Sequence, residues 1–155
     1  FAILKAADGQ GLGSYIHMNG KISVLVLLAK ANEELGKGLA MHIAANSPTY
    51  VTRDEIPADV IEHEKNIARE LAKSDEKLAN KPAAILEGII LGKVNKLLSE
   101  STLVEQTYLL DGEKSVAEVL KADGNKVLKF VRFQFGEGIE KKCCDFADEV
   151  MSQVK

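Results

Sequence analysis

The residues with most scope for chemistry are three histidines, His17, His42 and His63, an adjacent cysteine pair, Cys143 and Cys144, and the alternating glycines of Gly9-Gln10-Gly11-Leu12-Gly13. A zinc-hydrolase helix needs a second histidine four residues after the first, with a glutamate between them as general base. His63-Glu64 opens that pattern, but residue 67 is Ile, so His63 reads as a solvated helix residue. His42 lies on an apolar helix face, where a hydrogen-bonded core or interface residue fits better than a metal ligand. Adjacent cysteines close a disulfide only with strain, and they lack the spacer that zinc ligands usually have. They read as two reduced thiols. The glycine run has the wrong spacing for a dinucleotide fingerprint, and no Gly-Lys-Ser or Gly-Lys-Thr occurs, so it reads as a turn. Carboxylates in the middle of the chain alternate with lysines, as on a solvated face. Spacing pairs no nucleophile with a base, and no catalytic residue, metal or cofactor is expected.

Composition narrows the remaining classes. The 155 residues suit one domain or two small connected ones, and 46% hydrophobic with 28% charged residues is the balance of an ordinary soluble globule. With 20 basic against 23 acidic residues the net charge is −3, and aromatic residues are only 5% with no Trp. Phosphate neutralisation calls for a basic excess and base stacking for aromatic surface, so a direct nucleic-acid partner is not expected. No apolar run approaches the roughly 20 residues that span a bilayer, and the N-terminus lacks the pattern of a signal peptide. The chain starts at Phe1, mid-pattern, and reads as a piece of a longer protein.

Phe1 to Ala6 reads as a short strand. Ser14 to His17 and Lys21 to Leu28 flank Met18-Asn19-Gly20, a strong hairpin signal because Asn and Gly tolerate positive φ. The nearly continuous apolar arm from Ile22 to Leu28 is expected to be buried on both faces or nearly so. Leu35, Leu39 and Ile43 predict a helix over 32–46, capped by Asn32 and stopped by Asn46-Ser47-Pro48. Gly36 and Gly38 inside it disfavour the helix by about 1 kcal/mol each. Either another backbone or partner approaches there, or packing holds the helix regardless. Two amphipathic helices follow, from Ala58 to Lys73 and from Pro82 to Ser99. The short polar link from Ser74 to Lys81 predicts that they fold back as an antiparallel pair. Gln106 to Leu110 reads as extended, and Ser115-Val116-Ala117-Glu118 is a capping box that opens a helix ending at Asp123-Gly124-Asn125. Val127 to Phe135 alternates, with Val127, Val131, Phe133 and Phe135 on one side and Arg132 and Gln134 on the other. Asp145 to Val154 reads as a terminal helix. The fold class is therefore α+β: a small antiparallel sheet with packed helices and a protruding antiparallel two-helix coiled-coil hairpin. Residues 1–56 and 100–138 form the core, 57–99 the inserted hairpin, and 139–155 a C-terminal helical module.

Five collinear stretches carry a family resemblance. They are Gly13-Ser14-Tyr15-Ile16-His17; Lys21-Ile22-Ser23-Val24-Leu25-Val26; Leu39-Ala40-Met41-His42-Ile43-Ala44-Ala45; Val131-Arg132-Phe133 running into Gly136-Glu137-Gly138-Ile139-Glu140-Lys141; and Asp145-Phe146-Ala147-Asp148-Glu149-Val150. Over essentially its whole length the chain resembles translation elongation factor Ts. The resemblance implies a guanine nucleotide exchange factor that binds the GTPase elongation factor Tu and promotes GDP release, acting by binding and without covalent catalysis. It implies that His17, Leu109 and Leu110 contact the third domain of elongation factor Tu. It also implies that Asp145, Phe146 and Val150 belong to a module docking on the nucleotide-binding domain. The family's Thr-Asp-Phe-Val motif, which intrudes near the GTPase's magnesium site, is absent; Asp145-Phe146 echoes it only superficially. Binding is thus expected of this chain, and exchange of the intact protein. Homodimerisation through the hairpin, known for some members, gives the alternative of a dimerisation or scaffold module without exchange activity. The expected location is the bacterial cytoplasm, or an organelle matrix or stroma for an organellar version, with no membrane contact.

Overall fold

The computed structural model describes residues 1–74 and 82–137. Three strands form one antiparallel sheet in the order β1 (Gly11–His17), β2 (Ile22–Leu28), β3 (Val127–Gln134). The β1–β2 turn places Met18, Asn19 and Gly20 all at positive φ. Helix α1 (Glu33–Asn46) begins where the Asn32 side chain accepts the Leu35 N–H at 3.1 Å. It ends at Ser47, whose left-handed backbone lets its N–H reach the Ile43 carbonyl. Helices α2 (Ala58–Ser74) and α3 (Ala83–Ser101) follow, then α4 (Val116–Ala122), which opens with the full Ser115/Glu118 capping box.

The principal core forms where α1 lies on one face of the sheet. Val24, Val26 and Leu28 from β2 meet Leu35, Leu39 and Ile43 from α1, with Leu103, Val116, Leu120 and Val127 closing the margins. A second, smaller cluster lies between α2 and α3, where Ala68 and Ala72 pack with Ile90, Val94 and Leu98 beside Ile56. The two regions are tied by main-chain bonds: the Tyr50 carbonyl accepts the Leu103 N–H at 2.9 Å, and Thr49 N–H donates to the Ser101 carbonyl.

Several expectations are corrected. Residues 1–6 form no strand, and Phe1 and Ile3 are exposed; an apolar run becomes a strand only where it finds a partner and something to cover it. Gly11 and Gly13 belong to β1 rather than to a turn, because α1 crosses there: a side chain at Gly13 would collide with the Gly36 backbone. That close approach also accounts for Gly36, and Gly38 faces the Tyr108 ring in the same way. Gln106 to Leu110 is extended only at its start, over Gln106 and Thr107. Thr107 bridges to Ser115, and the chain then turns, with Gly112 N–H donating to the Tyr108 carbonyl at 2.8 Å.

β2 is buried on the α1 side only. Val24, Val26 and Leu28 alternate with Ser23, Leu25 and Leu27, which are exposed or half-buried. The inside and outside of β3 also differ from the alternating pattern, because the β2–β3 register shifts at Leu27/Leu28. Val127 pairs with Leu28 on the helix side, whereas Val131 pairs with Leu25 and Phe133 with Ser23 on the far side. A one-residue irregularity moves every later side chain to the opposite face. Phe130 and Arg132 therefore face α1, and half-exposed Phe133 joins Leu12, Ile16 and Leu25 on the open face.

Candidate partner-binding cleft

His17 closes β1, and its position is set by the tight turn that follows. Its Nδ1 lies 3.1 Å from the Tyr15 hydroxyl, and the two rings stack with centroids 5.8 Å apart. Residues two apart on a strand share a face, so this pair projects toward the C-terminal half of α1. There it meets Met41, Ala44 and Ala45, and the far wall is Leu109. With Met18 and Ile22 these residues line a cleft of ≈ 360 Å³. Its walls are mostly apolar, with one imidazole and one phenol at the rim. Such a surface can take an apolar side chain of a partner and offer it a hydrogen bond at the edge.

Of the residues singled out in the sequence, His17 and Leu109 share this cleft. Leu110 is a neighbour in sequence but lines a different depression with Asn32, Glu34, Leu35, Tyr108, Asp111 and Asp123. Leu109 is 49% exposed and Leu110 60%, so both are surface residues. Asp145, Phe146 and Val150 lie outside the described residues. Tyr15, Met18 and Met41 were not singled out as site residues. Met41 lies on α1, and the position of the hairpin over that helix brings it into the cleft.

The leucine turn is braced from beneath. Tyr108, almost fully buried, lies against Gly38, and its N–H donates to the Lys114 carbonyl at 2.8 Å. Burial pushes the Tyr108 hydroxyl up from its ordinary pKa, and Glu34 adds to the shift. Lys114 Nζ pairs with Asp111 at 2.8 Å across the turn. That hydrogen bond raises the pKa of the exposed Lys114. His42, wholly buried on α1, lies between Gln106 and the Leu109 backbone, with its Nε2 2.8 Å from Gln106 Oε1. Burial lowers its pKa, opposed in part by the Gln106 hydrogen bond.

The three histidines stand on β1, α1 and α2, and among the described residues no three His, Cys, Asp or Glu side chains converge as metal ligands. No helix among those residues is long and apolar enough to cross a membrane.

These features define an α+β protein with an apolar surface cleft built jointly by a β-hairpin, a central helix and a turn distant in sequence. The elongation factor Ts family model matches residues 1–137, and the chain belongs to that family. It is 44% identical over 154 residues to elongation factor Ts of Pediococcus pentosaceus, covering 99% of this chain and 51% of the relative. It is 47% identical over 151 residues to that of Acholeplasma laidlawii, covering 97% and 51%. To that of Cellvibrio japonicus it is 44% identical over 151 residues, again covering 97% and 51%. The chain thus spans about half the length of the curated relatives it matches.

Proposed function

We propose that this chain is the part of a translation elongation factor that grips the GTPase elongation factor Tu, and that the intact protein promotes GDP release. The observation carrying this reading is the cleft that unites His17 with Leu109. Two residues implicated separately by family resemblance line one apolar surface, with Leu110 exposed beside it. Exposed leucines next to polar Asp111 and Lys114 are a suitable anchor with a wet rim. Exchange follows by linkage: a factor that binds the nucleotide-free GTPase more tightly must weaken the nucleotide by the same coupling energy. No covalent step, metal or cofactor of this chain enters that mechanism, and no nucleic acid or membrane is a direct partner. Residues 1–56 and 100–138 serve as the docking core. Residues 139–155, with Asp145, Phe146 and Val150, serve as a module for the nucleotide-binding domain. The working location is the bacterial cytoplasm or, for an organellar version, matrix or stroma.

Release of a fluorescent GDP analogue from elongation factor Tu, measured with a pull-down as this chain is titrated in, tests the proposal. Binding without acceleration supports a docking half whose catalysis of exchange lies elsewhere in the protein. Acceleration means that these residues open the nucleotide site unaided. Absence of both sinks the docking reading.

A second reading is favoured by α2 and α3. Ile67, Leu71 and Leu97 are exposed around a groove floored by Ala68 and Val94, on what we take to be the inserted coiled-coil hairpin at residues 57–99. Pairing of that hairpin with a second copy would make the chain a dimerisation or scaffold module. Sedimentation of the chain with and without Leu71→Glu and Leu97→Glu distinguishes a self-associating hairpin from a monomer.

A further inference from the structure

We propose that His42 is a positioning residue for partner docking: held as its Nε2–H tautomer between Gln106 and the Leu109 backbone, it fixes the turn that presents Leu109 and Leu110. The proposal rests on the reading of those leucines as partner anchors and adds to it the group that aims them.

The tautomer follows from the neighbours. Gln106 Nε2 donates to the Glu100 carbonyl at 2.6 Å, which leaves Gln106 Oε1 directed at His42 Nε2, 2.8 Å away. An amide oxygen only accepts, so Nε2 carries the proton. On the other side of the ring, the Leu109 backbone N–H lies 3.2 Å from Nδ1. A backbone N–H only donates, so Nδ1 keeps its lone pair. The Asn46 amide nitrogen lies 3.2 Å from Nδ1 and 3.4 Å from Nε2, within reach of both ring nitrogens, and does not discriminate between them. Gln106 and the Leu109 N–H select the same neutral form.

That form does something that packing alone would not require. A buried apolar residue would fill the space, but it would leave the Leu109 N–H and Gln106 Oε1 without partners, each an unfavourable loss. The bonds from Tyr108 to Lys114 and from Gly112 to Tyr108 close the turn upon itself. Its attachment to α1 comes from His42 on the Leu109 backbone and from the Tyr108 ring, which lies against Gly38 and 5.9 Å from the imidazole. With Leu109 N–H fixed, its side chain falls into the cleft opposite His17.

Protonation of the ring would place a donor against the Leu109 N–H and release the turn. The groups facing the ring are Asn46 from α1 and Gln106 and Tyr108 from the turn segment. Glu100 at the end of α3 and Glu105 line the adjoining cleft, and Glu105 is already engaged by Arg53 at 2.6 Å. Docking is therefore expected to weaken in acid.

Two measurements test the proposal. Nitrogen NMR of the imidazole in this chain is expected to show the Nε2–H form, with the Leu109 amide protected from exchange at neutral pH. His42→Phe, which keeps a ring but offers no acceptor, is expected to remove that protection. An Nδ1–H imidazole, or protection unchanged in the variant, overturns the assignment. Should His42→Phe fail to fold, the tautomer of the unsubstituted chain and the loss of Leu109 protection in Gln106→Leu decide the same point. In binding to elongation factor Tu, His42→Phe is expected to weaken affinity about tenfold, but by less than about twofold once Leu109 and Leu110 are both alanine. An equal loss in both backgrounds marks a general structural role and overturns positioning. If no version binds, the docking function fails, while the NMR result still decides whether His42 holds the turn.

Discussion

Helix α1 and the pair formed by α2 and α3 are built from similar residues but live under different constraints. α1 buries eight of its positions, including two glycines and a histidine, because the sheet covers one side and the Tyr108 segment another. α3 buries mainly a single line, Ile90, Val94 and Leu98, against Ala68 and Ala72 of α2. Gly88 and Gly92 on α3 have nothing within reach of an added methyl, whereas Gly36 and Gly38 on α1 are in contact. Glycine thus means close approach in one helix and open space in the other. The helix held on two sides carries the wall of the candidate cleft, and the pair held along one seam leaves Ile67, Leu71, Ile85, Leu91 and Leu97 exposed.

Substitutions that add one methyl group test this contrast most directly. Gly13→Ala has the largest expected effect, because the new Cβ falls on the Gly36 carbonyl and two backbones would have to separate. A loss of about 3 kcal/mol is expected by urea unfolding; an unchanged midpoint would mean that α1 and β1 are not locked together. Gly38→Ala meets the Tyr108 hydroxyl and, at 3.1 Å, Leu110 Cδ1. A side chain yields more readily than backbone, so the expected loss is about 1–2 kcal/mol. A displaced Tyr108 should appear in its fluorescence.

Acid sensitivity tests the same contrast through the histidines, since His42 on α1 is buried while His63 on α2 is exposed. Burial depresses the His42 pKa below its ordinary 6.5. Between that lowered value and 6.5 the unfolded chain binds more protons than the folded one, so stability rises with pH. Its contribution is complete above the ordinary value and is lost as the pH falls through the depressed one. His42→Phe should flatten that limb of a plot of urea midpoint against pH. A limb of unchanged slope would show that another group titrates there.

The smallest effects are expected on α3, and they have the opposite sign. Gly88→Ala and Gly92→Ala should each stabilise by about 0.5–1 kcal/mol, the helix-propensity difference with no clash to offset it. A stabilised variant that sediments as a smaller species would place these glycines against a second copy of the chain.

How legible this was in the sequence varied with the range of the interactions. The hairpin at Met18-Asn19-Gly20, the Asn32 cap, the Ser115/Glu118 capping box and the stripe through Leu35, Leu39 and Ile43 depend on neighbours within a few residues, and all are present in the structure. The strand over 1–6, the continuation of the glycine turn through Gly11–Gly13 and the extension of the 106–110 segment as far as Leu110 are absent from the structure, because each depends on what lies across from it. For β3, the bulge opposite Leu27/Leu28 decided which residues face α1, and no alternation pattern records a bulge.

The candidate site divides along the same line. His17, Leu109 and Leu110 were singled out by family resemblance, and their residue types were compatible with surface anchors. The meeting of His17 and Leu109 in one cleft, the turn of Leu110 away from it and the placing of His42 beneath the turn are tertiary facts. The sequence by itself determined the local elements, because caps, turns and apolar periodicity act between residues close along the chain, and the resemblance of its five collinear stretches pointed to the family. Only the tertiary structure decided which glycines are contacts, which sheet face is open and which histidine is sealed in, because those follow from distant segments packing into the same space.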